Sequence, residues 1–582
     1  MNAIFGIDSE TVKVRKRAGD KVVEEHVFLS FQVYPPPRIF WTSVEVESWL
    51  NTLPDKSLLI GWKAEFDLLV LRKILSDEWM IKFRRNKSRF VLGEITNGKK
   101  SIRVFDLYNL LPVASLRRVG EIIGCPKLER PDYLGERAPK TSVEKREFSR
   151  YAIRDAEICY KAYQMLKSQF GKDRPTLPSL ALSVFNQSFG GRALFLKLPE
   201  EVVRLADKAY MGGRTECFWR GSPDFRVRLY DFNSLYPFAM MTGNFPFFRS
   251  YLGEKGNVNL DHTGIAQALI YQDAPIPLLG VRRKFSDGTV KLIFPSGKVK
   301  GVWTYPELRR LEQWGVGKIL KIFRAVEWRE TSNPFRKFIM EYYQKRMENP
   351  ALSKIYKLFL NSLYGKFAQN PHLEDVYVEA SGEVQRIAPD FFTLRNPVIS
   401  CFITAFARLK LYKVFRRVGY DKIYYCDTDS VMTDTDLGGG SQELGALKLE
   451  GETDGSRRLT LVRSKCYIFN DVVKWKGLTL RSLEPISKRS AGETARLLIS
   501  NNKFEVFETV LVKLIYSKRI KVPFLSELRR WKVFNLAPDG KRIFSRPLSG
   551  KELLEDWVSS QPLTLKNPED ENEVIKVGSV VE

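Results

Sequence analysis

Histidine and cysteine are scarce in this chain of 582 residues: there are three histidines, His26, His262 and His372, and six cysteines, Cys125, Cys159, Cys217, Cys401, Cys426 and Cys466. The histidines stand far apart, so chemistry that depends on imidazole is not expected. The cysteines form no C-x-x-C pair and no cluster, which argues against a structural zinc or a disulfide framework and suits a reducing compartment. No apolar run reaches the roughly 18 residues of a membrane span, and the opening MNAIFGIDSE lacks a basic segment followed by a long apolar core. The expectation is a soluble, cytoplasmic protein without a membrane partner. Internal repeats and low-complexity tracts are absent as well.

Positive charge is what the chain has in excess: 94 Lys and Arg against 68 Asp and Glu, a net charge of +26 and a pI near 9.6. Spread along the whole chain, such a field attracts a polyanion, and nucleic acid is the first candidate; a merely basic, well-solvated surface is the alternative. The length exceeds one ordinary domain, and 44% apolar residues suffice for several cores.

Strand-like and helix-like segments alternate through the first ~170 residues. AIFGID, EHVFLSFQVY and SIRVFDLY read as strands, while EFDLLVLRKIL and KREFSRYAIRDAEICYKAYQML carry helical apolar stripes. The turn-rich GKDRPTLPS at 171–179 is a candidate boundary. From 225 the pattern becomes more β-like: RVRLYDFNSLYP reads as a strand turning at Pro237, and 250–330 carries the turn signals SDGT and PSGK. Helices at about 333–348 and 351–367 are split by Asn349-Pro350, since proline cannot continue the ladder. EDVYVEASGEVQRIA at 374–388 reads as a hairpin around Ser381-Gly382, VISCFITAFARLKLYKVFRRV as a buried helix, and the acidic end of the chain as frayed.

In YYCDTDS, Asp427 and Asp429 close an apolar strand. A bare D-x-D is most simply a turn, because two buried like charges are costly unless cations lie between them. Asp231, at the end of RVRLY, supplies a third acid in the same setting. Three strand-end acids without histidines favour oxygen-coordinated Mg²⁺ over zinc. Between them, Lys357, Asn361 and Tyr364 recur at i, i+4, i+7 on one helical face, with Lys345 on the preceding helix. An exposed polar stripe is one reading of that face; beside metal-binding acids it also suits a triphosphate grip with a stacking surface.

DFNSLYP, KLFLNSLYG and YCDTDS, in this order, resemble motifs A, B and C of the family B DNA polymerases. Tyr210-Met-Gly212-Gly213 resembles the Y-x-G-G element ahead of motif A, and Lys465-Cys-Tyr467 the K-x-Y element after motif C. Length and spacing resemble the protein-primed, bacteriophage-type branch. The resemblance implies that Asp231 and Asp429 hold two Mg²⁺ ions, replaceable by Mn²⁺, with Asp427 in support. It implies that Lys345 and Lys357 neutralise the incoming triphosphate, that Tyr236 excludes a ribose 2′-hydroxyl, and that Tyr364 packs under the nascent base pair. Lys465 and Tyr467 would hold the primer end, and Tyr210, Gly212 and Gly213 would approach the template.

Asp8-Ser-Glu10 would mean nothing alone. Together with Asp67 in EFDLLVL and with Tyr151 and Asp155 on a later helix, it resembles the three motifs of a proofreading 3′–5′ exonuclease. The resemblance implies two further metal ions on Asp8, Glu10, Asp67 and Asp155, with Tyr151 orienting water. Ser115, Leu116 and Lys127 resemble auxiliary contacts to single-stranded substrate or the scissile phosphate. Lys63, in GWKAEFD, stands where the family usually has asparagine, a departure that bears on single-strand contact.

The implied fold is mixed α/β and α+β, multidomain: an N-terminal RNase H-like exonuclease domain and a right-hand polymerase of palm, fingers and thumb with two insertions. The expected segments are 1–172 exonuclease, 173–249 palm, 250–331 a first insertion of terminal-protein type, 332–367 fingers, 368–399 a DNA-encircling hairpin insertion, 400–470 palm and 471–582 thumb and C-terminal region. The expected partners are template and primer DNA, dNTPs and a terminal protein as primer, bound by a monomer. The basic-aromatic stretches 81–90, 280–285 and 516–532 suit phosphate neutralisation and base stacking. The competing readings are a polymerase that is primer-independent or uses ordinary oligonucleotides, a nuclease with a non-catalytic DNA-binding body, and a non-enzymatic nucleic-acid-binding protein.

Overall fold

The computed structural model describes residues 3–19, 21–86, 89–112, 115–195, 197–256, 258–369, 374–378, 383–387, 395–478, 482–483, 489–513, 517 and 520–575. The chain divides into two compact units. One holds 1–188, 344–395 and 508–530, and the other 189–343, 396–507 and 531–582. Among the described residues no helix is long and apolar enough to cross a membrane.

The first unit is organised by a mixed sheet. Strand Ile4–Ala18 pairs in parallel with Leu58–Gly61 and antiparallel with Lys21–Tyr34, and Leu58–Gly61 pairs in parallel with Ser101–Asp106. Helices Glu65–Ile74 and Ser142–Phe170 contact this sheet. The long helix starts at a Thr141/Glu144 capping box and stops at Gly171, whose φ is 65°. Gly6 is what lets it approach: a Cβ there would collide with the carbonyl oxygen of Ala156. The expected boundary at 171–179 lies earlier than the observed division, because helix Leu177–Ser188 still packs in this unit.

Two later segments extend the same sheet. Strand Glu374–Val378 pairs with Met80–Asn86 and with Glu383–Ile387, giving the expected hairpin, although its Ser381-Gly382 turn lies outside the described residues. Strand Ser526–Phe534 pairs with Lys21–Tyr34 through Ser526 and Glu527. The segment expected as a helix at 351–367 is a 3-10 turn Pro350–Leu352, helix Ser353–Ser362 and a short helix Tyr364–Phe367. Tyr356 donates to Gln169 at 2.8 Å and Phe359 stacks on Phe170, which seats this segment on the end of the long helix.

The second unit is built on a five-stranded antiparallel sheet in the order Leu447–Glu452, Arg228–Phe232, Ser430–Thr433, Ile423–Asp427, Thr215–Cys217. Helix Pro397–Val418, apolar on most of its surface, is largely buried. The expected turn at Pro237 falls earlier: Ser234, with φ 57°, ends the strand segment, and Pro237 sits in the first turn of helix Leu235–Thr242, where its missing N–H costs nothing. Segment 250–331 contains a four-stranded sheet, and the SDGT and PSGK signals coincide with Gly288 at φ 79° and Gly297 at φ 84°.

The frayed C-terminus expected from the sequence is corrected as far as Ile575. Val574–Ile575 pairs in parallel with Val281–Phe285, and Glu571 binds Lys208 at 2.6 Å and also Gln267. Glu571 meets Lys208 on helix Glu200–Ala209 and Gln267 on strand Thr263–Gln272, and these contacts hold the segment in place.

Candidate functional site

Two groups of acids stand on the two units. In the first unit, strand Ile4–Ala18 carries Asp8 and Glu10 and the long helix carries Asp155; oxygens of all three lie within 4.8 Å of one another. Asp8 Oδ2 and Asp155 Oδ1 are buried without a hydrogen-bond partner. Burial first, and then the neighbouring carboxylates, push Asp8 well above the usual carboxylate range and Glu10 up to about 7. Clustered acids with orphaned buried oxygens fit a hard divalent cation.

Asp67 is near but differently held. It stands on helix Glu65–Ile74, accepts from Ser9 Oγ at 2.6 Å, and burial raises it to about 8. It is not part of the close trio, so the expected four-acid set is three converging acids and a fourth tied to Ser9. Lys127 forms an ion pair with Asp155 and lies 5.1 Å from the centre of the Tyr151 ring. Burial pulls the Lys127 ammonium down, but Asp155 and Tyr151 outweigh it and hold it above the usual lysine range. Burial pushes the Tyr151 hydroxyl up to about 12, so it stays protonated at neutral pH and can donate.

Ser115 and Leu116 have local structural roles. Ser115 caps helix Leu116–Ile122 by accepting from Arg118 N, and the Leu116 side chain is buried. Lys63 adopts φ 56°, a conformation more readily taken by asparagine, and its N–H donates to Asp106 Oδ1 at 2.8 Å. Asp106, which sequence reasoning did not single out, thereby shapes the turn before helix Glu65–Ile74, and it also accepts from Tyr108 N to cap the short helix Leu107–Leu110.

In the second unit, Asp231 lies opposite Ser430 in the ladder, and Phe232 N donates to Asp429 O at 2.7 Å. The Asp427–Ser430 pair closes a two-residue hairpin with Thr428 at φ 63°. Strand pairing therefore brings Asp231 beside the hairpin turn that holds Asp429, 198 positions later in sequence. Among the described residues, no third acid converges on this pair as Glu10 does on Asp8 and Asp155.

Asp427 is engaged otherwise. Its carboxylate accepts from Lys465 Nζ at 2.6 and 2.7 Å, from Thr215 Oγ1 at 2.8 Å and from Thr428 Oγ1 at 3.2 Å. No motif pointed to Thr215. Tyr467 follows on strand Cys466–Phe469, and burial, Asp427 and Asp231 push its hydroxyl up to about 12. Tyr236 is partly accessible on helix Leu235–Thr242.

The Y-x-G-G element lies against the hairpin. A Cβ on Gly213 would fall 2.5 Å from Thr428 Cγ2, whereas one on Gly212 would meet open space. Tyr210 O accepts from Arg282, and Met211 O and Gly212 O from Arg408. Of the two arginines in the basic stretch 280–285, Arg283 is buried and Arg282 is bound to this element, so they are not a free phosphate-binding surface.

The expected triphosphate grip belongs to the first unit. Asn361 Nδ2 donates to Lys357 O at 2.9 Å, confirming their one-turn spacing; Lys345 is in the last turn of helix Arg336–Glu348 and Tyr364 begins the next short helix. The same unit has a cleft of about 1110 Å³ whose cations include Arg84, Arg89, Arg103, Arg174 and Lys366. Two of these come from the basic stretch 81–90.

Residues 137–429 match the family described as DNA polymerase type B, organellar and viral. The DNA-directed DNA polymerase of Enterobacteria phage PRD1 is 26% identical over 457 residues, 72% of this chain and 74% of that protein. The DNA polymerase of Bacillus phage Nf is 26% identical over 67% of this chain and 71% of its own length. Among solved structures, phi29 DNA polymerase complexed with primer-template DNA and incoming nucleotide matches at 18% identity with a TM-score of 0.66, covering 92% of this chain and all of the other. That likeness establishes the fold, an exonuclease domain with palm, fingers and thumb. On the match across half its length, the chain belongs to the type B DNA polymerases of the organellar and viral kind.

Proposed function

We propose that this type B polymerase extends DNA by nucleotidyl transfer at Asp231 and Asp429, edits with a 3′–5′ exonuclease at Asp8, Glu10 and Asp155, and starts from a protein primer. The placement of Asp231 beside the turn that holds Asp429, through the Asp231–Ser430 pair and the Phe232 N to Asp429 O bond, is the observation that carries the reading. Both sites offer only oxygen donors, which suits Mg²⁺, or Mn²⁺ in its place. Bound there, such ions would activate the primer 3′-hydroxyl or a water and offset charge on the leaving group.

The chain's own groups do the rest. Lys465, steered by Asp427, presents an ammonium to the primer end, and Tyr467 beside it is a protonated donor at neutral pH. Tyr236 restricts the sugar of the incoming nucleotide, Lys345 and Lys357 counter its triphosphate, and Asn361 and Tyr364 complete that surface. In the editing site, Tyr151 donates to the attacking water and Lys127 offsets charge on the scissile phosphate. The cation-lined cleft of the first unit suits an unpaired template strand. The hairpin at 374–387, paired to the exonuclease sheet, supports a role in processivity and strand displacement.

Purified protein is given Mg²⁺ and labelled dNTPs with a primed template, an unprimed template, or a template plus a candidate terminal protein. Extension that survives Asp429→Ala would overturn the metal assignment. Label on protein supports protein priming, while products from the unprimed template without labelled protein favour a primer-independent enzyme. Degradation of a single-stranded oligonucleotide is expected to vanish in Asp8→Ala.

A further inference from the structure

Three consecutive residues ahead of motif A touch three consecutive residues of motif C. Thr428 N donates to Arg214 O at 2.6 Å, Thr215 Oγ1 donates to Asp427 Oδ1 at 2.8 Å, and Glu216 lies opposite Cys426 in the ladder. Beneath that backbone is a triad of charges. Arg214 Nε donates to Glu216 Oε2 at 2.6 Å, and Arg542 Nη1 lies 3.8 Å from Glu216 Oε1. The three residues are 2%, 0% and 5% exposed, so the group is sealed from solvent.

Both arginines continue to one loop of the insertion. Arg214 Nη1 donates to Pro277 O at 2.6 Å and its guanidinium lies 3.8 Å from the centre of the Phe294 ring. Arg542 donates from Nη2 to Pro275 O at 3.0 Å and to Ser560 O at 3.2 Å, and from Nε to Ser560 Oγ at 2.8 Å. Buried ion pairs are poor stabilisers compared with apolar side chains of the same volume, so their worth lies in fixing one arrangement. Here the arrangement is that of the segment whose other side holds Thr428 and Asp427.

We infer that Glu216 and Arg542 are positioning residues for nucleotidyl transfer: with Arg214 they lock the insertion loop 275–277 and the C-terminal region to the strand that seats the Asp427–Asp429 hairpin. Arg542 lies 113 residues beyond Asp429, in a region for which the motifs assign no role. Without Arg542, Glu216 Oε1 loses the charge that faces it and Pro275 O and Ser560 lose their donor, and the hairpin acids lose their setting relative to Asp231.

The inference rests on the polymerase reading. Single-nucleotide incorporation on a primed template is measured across a Mg²⁺ titration for Arg542→Met, Arg542→Lys, Glu216→Gln and, as a control on that reading, Asp429→Ala. Arg542→Met is expected to lower kcat roughly 10–100-fold, as small misplacements of reacting groups do. It should also raise the Mg²⁺ concentration for half-maximal rate, with primer-template affinity little changed and partial rescue by Arg542→Lys. A folded Arg542→Met with wild-type kcat and Mg²⁺ response overturns it. Should that variant not fold, Glu216→Gln, which keeps shape but removes the charge facing Arg542, is read in the same way. If neither folds, the triad holds the fold and not the hairpin, and the inference fails. Incorporation by Asp429→Ala would instead overturn the polymerase assignment of that acid.

Discussion

A Cβ on Gly213 would fall 2.5 Å from Cγ2 of Thr428, the residue between the two motif C aspartates. The glycine is needed for the close approach of two backbone segments, because Thr428 N also donates to Arg214 O. Gly213→Ala must therefore push the hairpin, and primer extension should fall roughly 10–100-fold. Gly212→Ala, which meets open space, should cost far less. The ratio of the two extension rates checks this, and equal losses would contradict it.

Lys465 and Asp427 act as a pair. Asp427→Asn and Lys465→Met should each raise KM for primer-template more than they alter the Mg²⁺ response. Asp429→Ala should abolish extension, a loss of ~100-fold or more as expected for an acid that holds the reacting centre's metal. If Asp427→Asn matches Asp429→Ala in both readouts, Asp427 is itself a metal ligand.

The acid cluster of the first unit makes metal-free stability depend on pH. Glu10 and Asp67 titrate near 7 and 8 in the folded chain against about 4 when unfolded, so across that window the folded state holds protons that the unfolded state has released. Stability of the metal-free protein should therefore fall as pH rises from about 4 to 8. Mg²⁺ should restore it at pH 8, and Glu10→Gln should flatten the slope. Thermal unfolding from pH 5 to 8.5, with and without Mg²⁺, reads both; a flat metal-free profile would remove the electrostatic account.

Gly6→Ala would drive a methyl group into the Ala156 carbonyl and shift the helix that carries Asp155. Overpacking of this kind costs about 1–3 kcal/mol. Degradation of single-stranded DNA should fall more than primer extension, because Asp8 and Asp155 separate while Asp231 and Asp429 stand on the other unit. Equal loss of both activities would count against the local account.

Much of this was legible because local rules and tertiary structure agree. Apolar periodicity located the long helix Ser142–Phe170 and the buried helix Pro397–Val418, and strand-end acids in a chain almost without histidine pointed to oxygen-bound metals. Pro237 was misread because proline is as well suited to a helix's first turn as to a turn between elements. The acidic C-terminus was misread because the partners of Glu571, Lys208 and Gln267, lie 363 and 304 positions earlier, where charge along the chain cannot reveal the pairing.

The sequence by itself determined the kinds of chemistry open to this protein: carboxylates at strand ends, cations and aromatics on helix faces, and a charge that draws a polyanion. It also carried the order of motifs that names the family. Only the tertiary structure tied Asp427 to Lys465 and Thr215, drew Asp8, Glu10 and Asp155 together while leaving Asp67 with Ser9, and assembled Arg214, Glu216 and Arg542. The reason is physical: residue type fixes which interactions a side chain can make, but pairing register and close packing decide which partner is within reach, and those depend on segments hundreds of residues away.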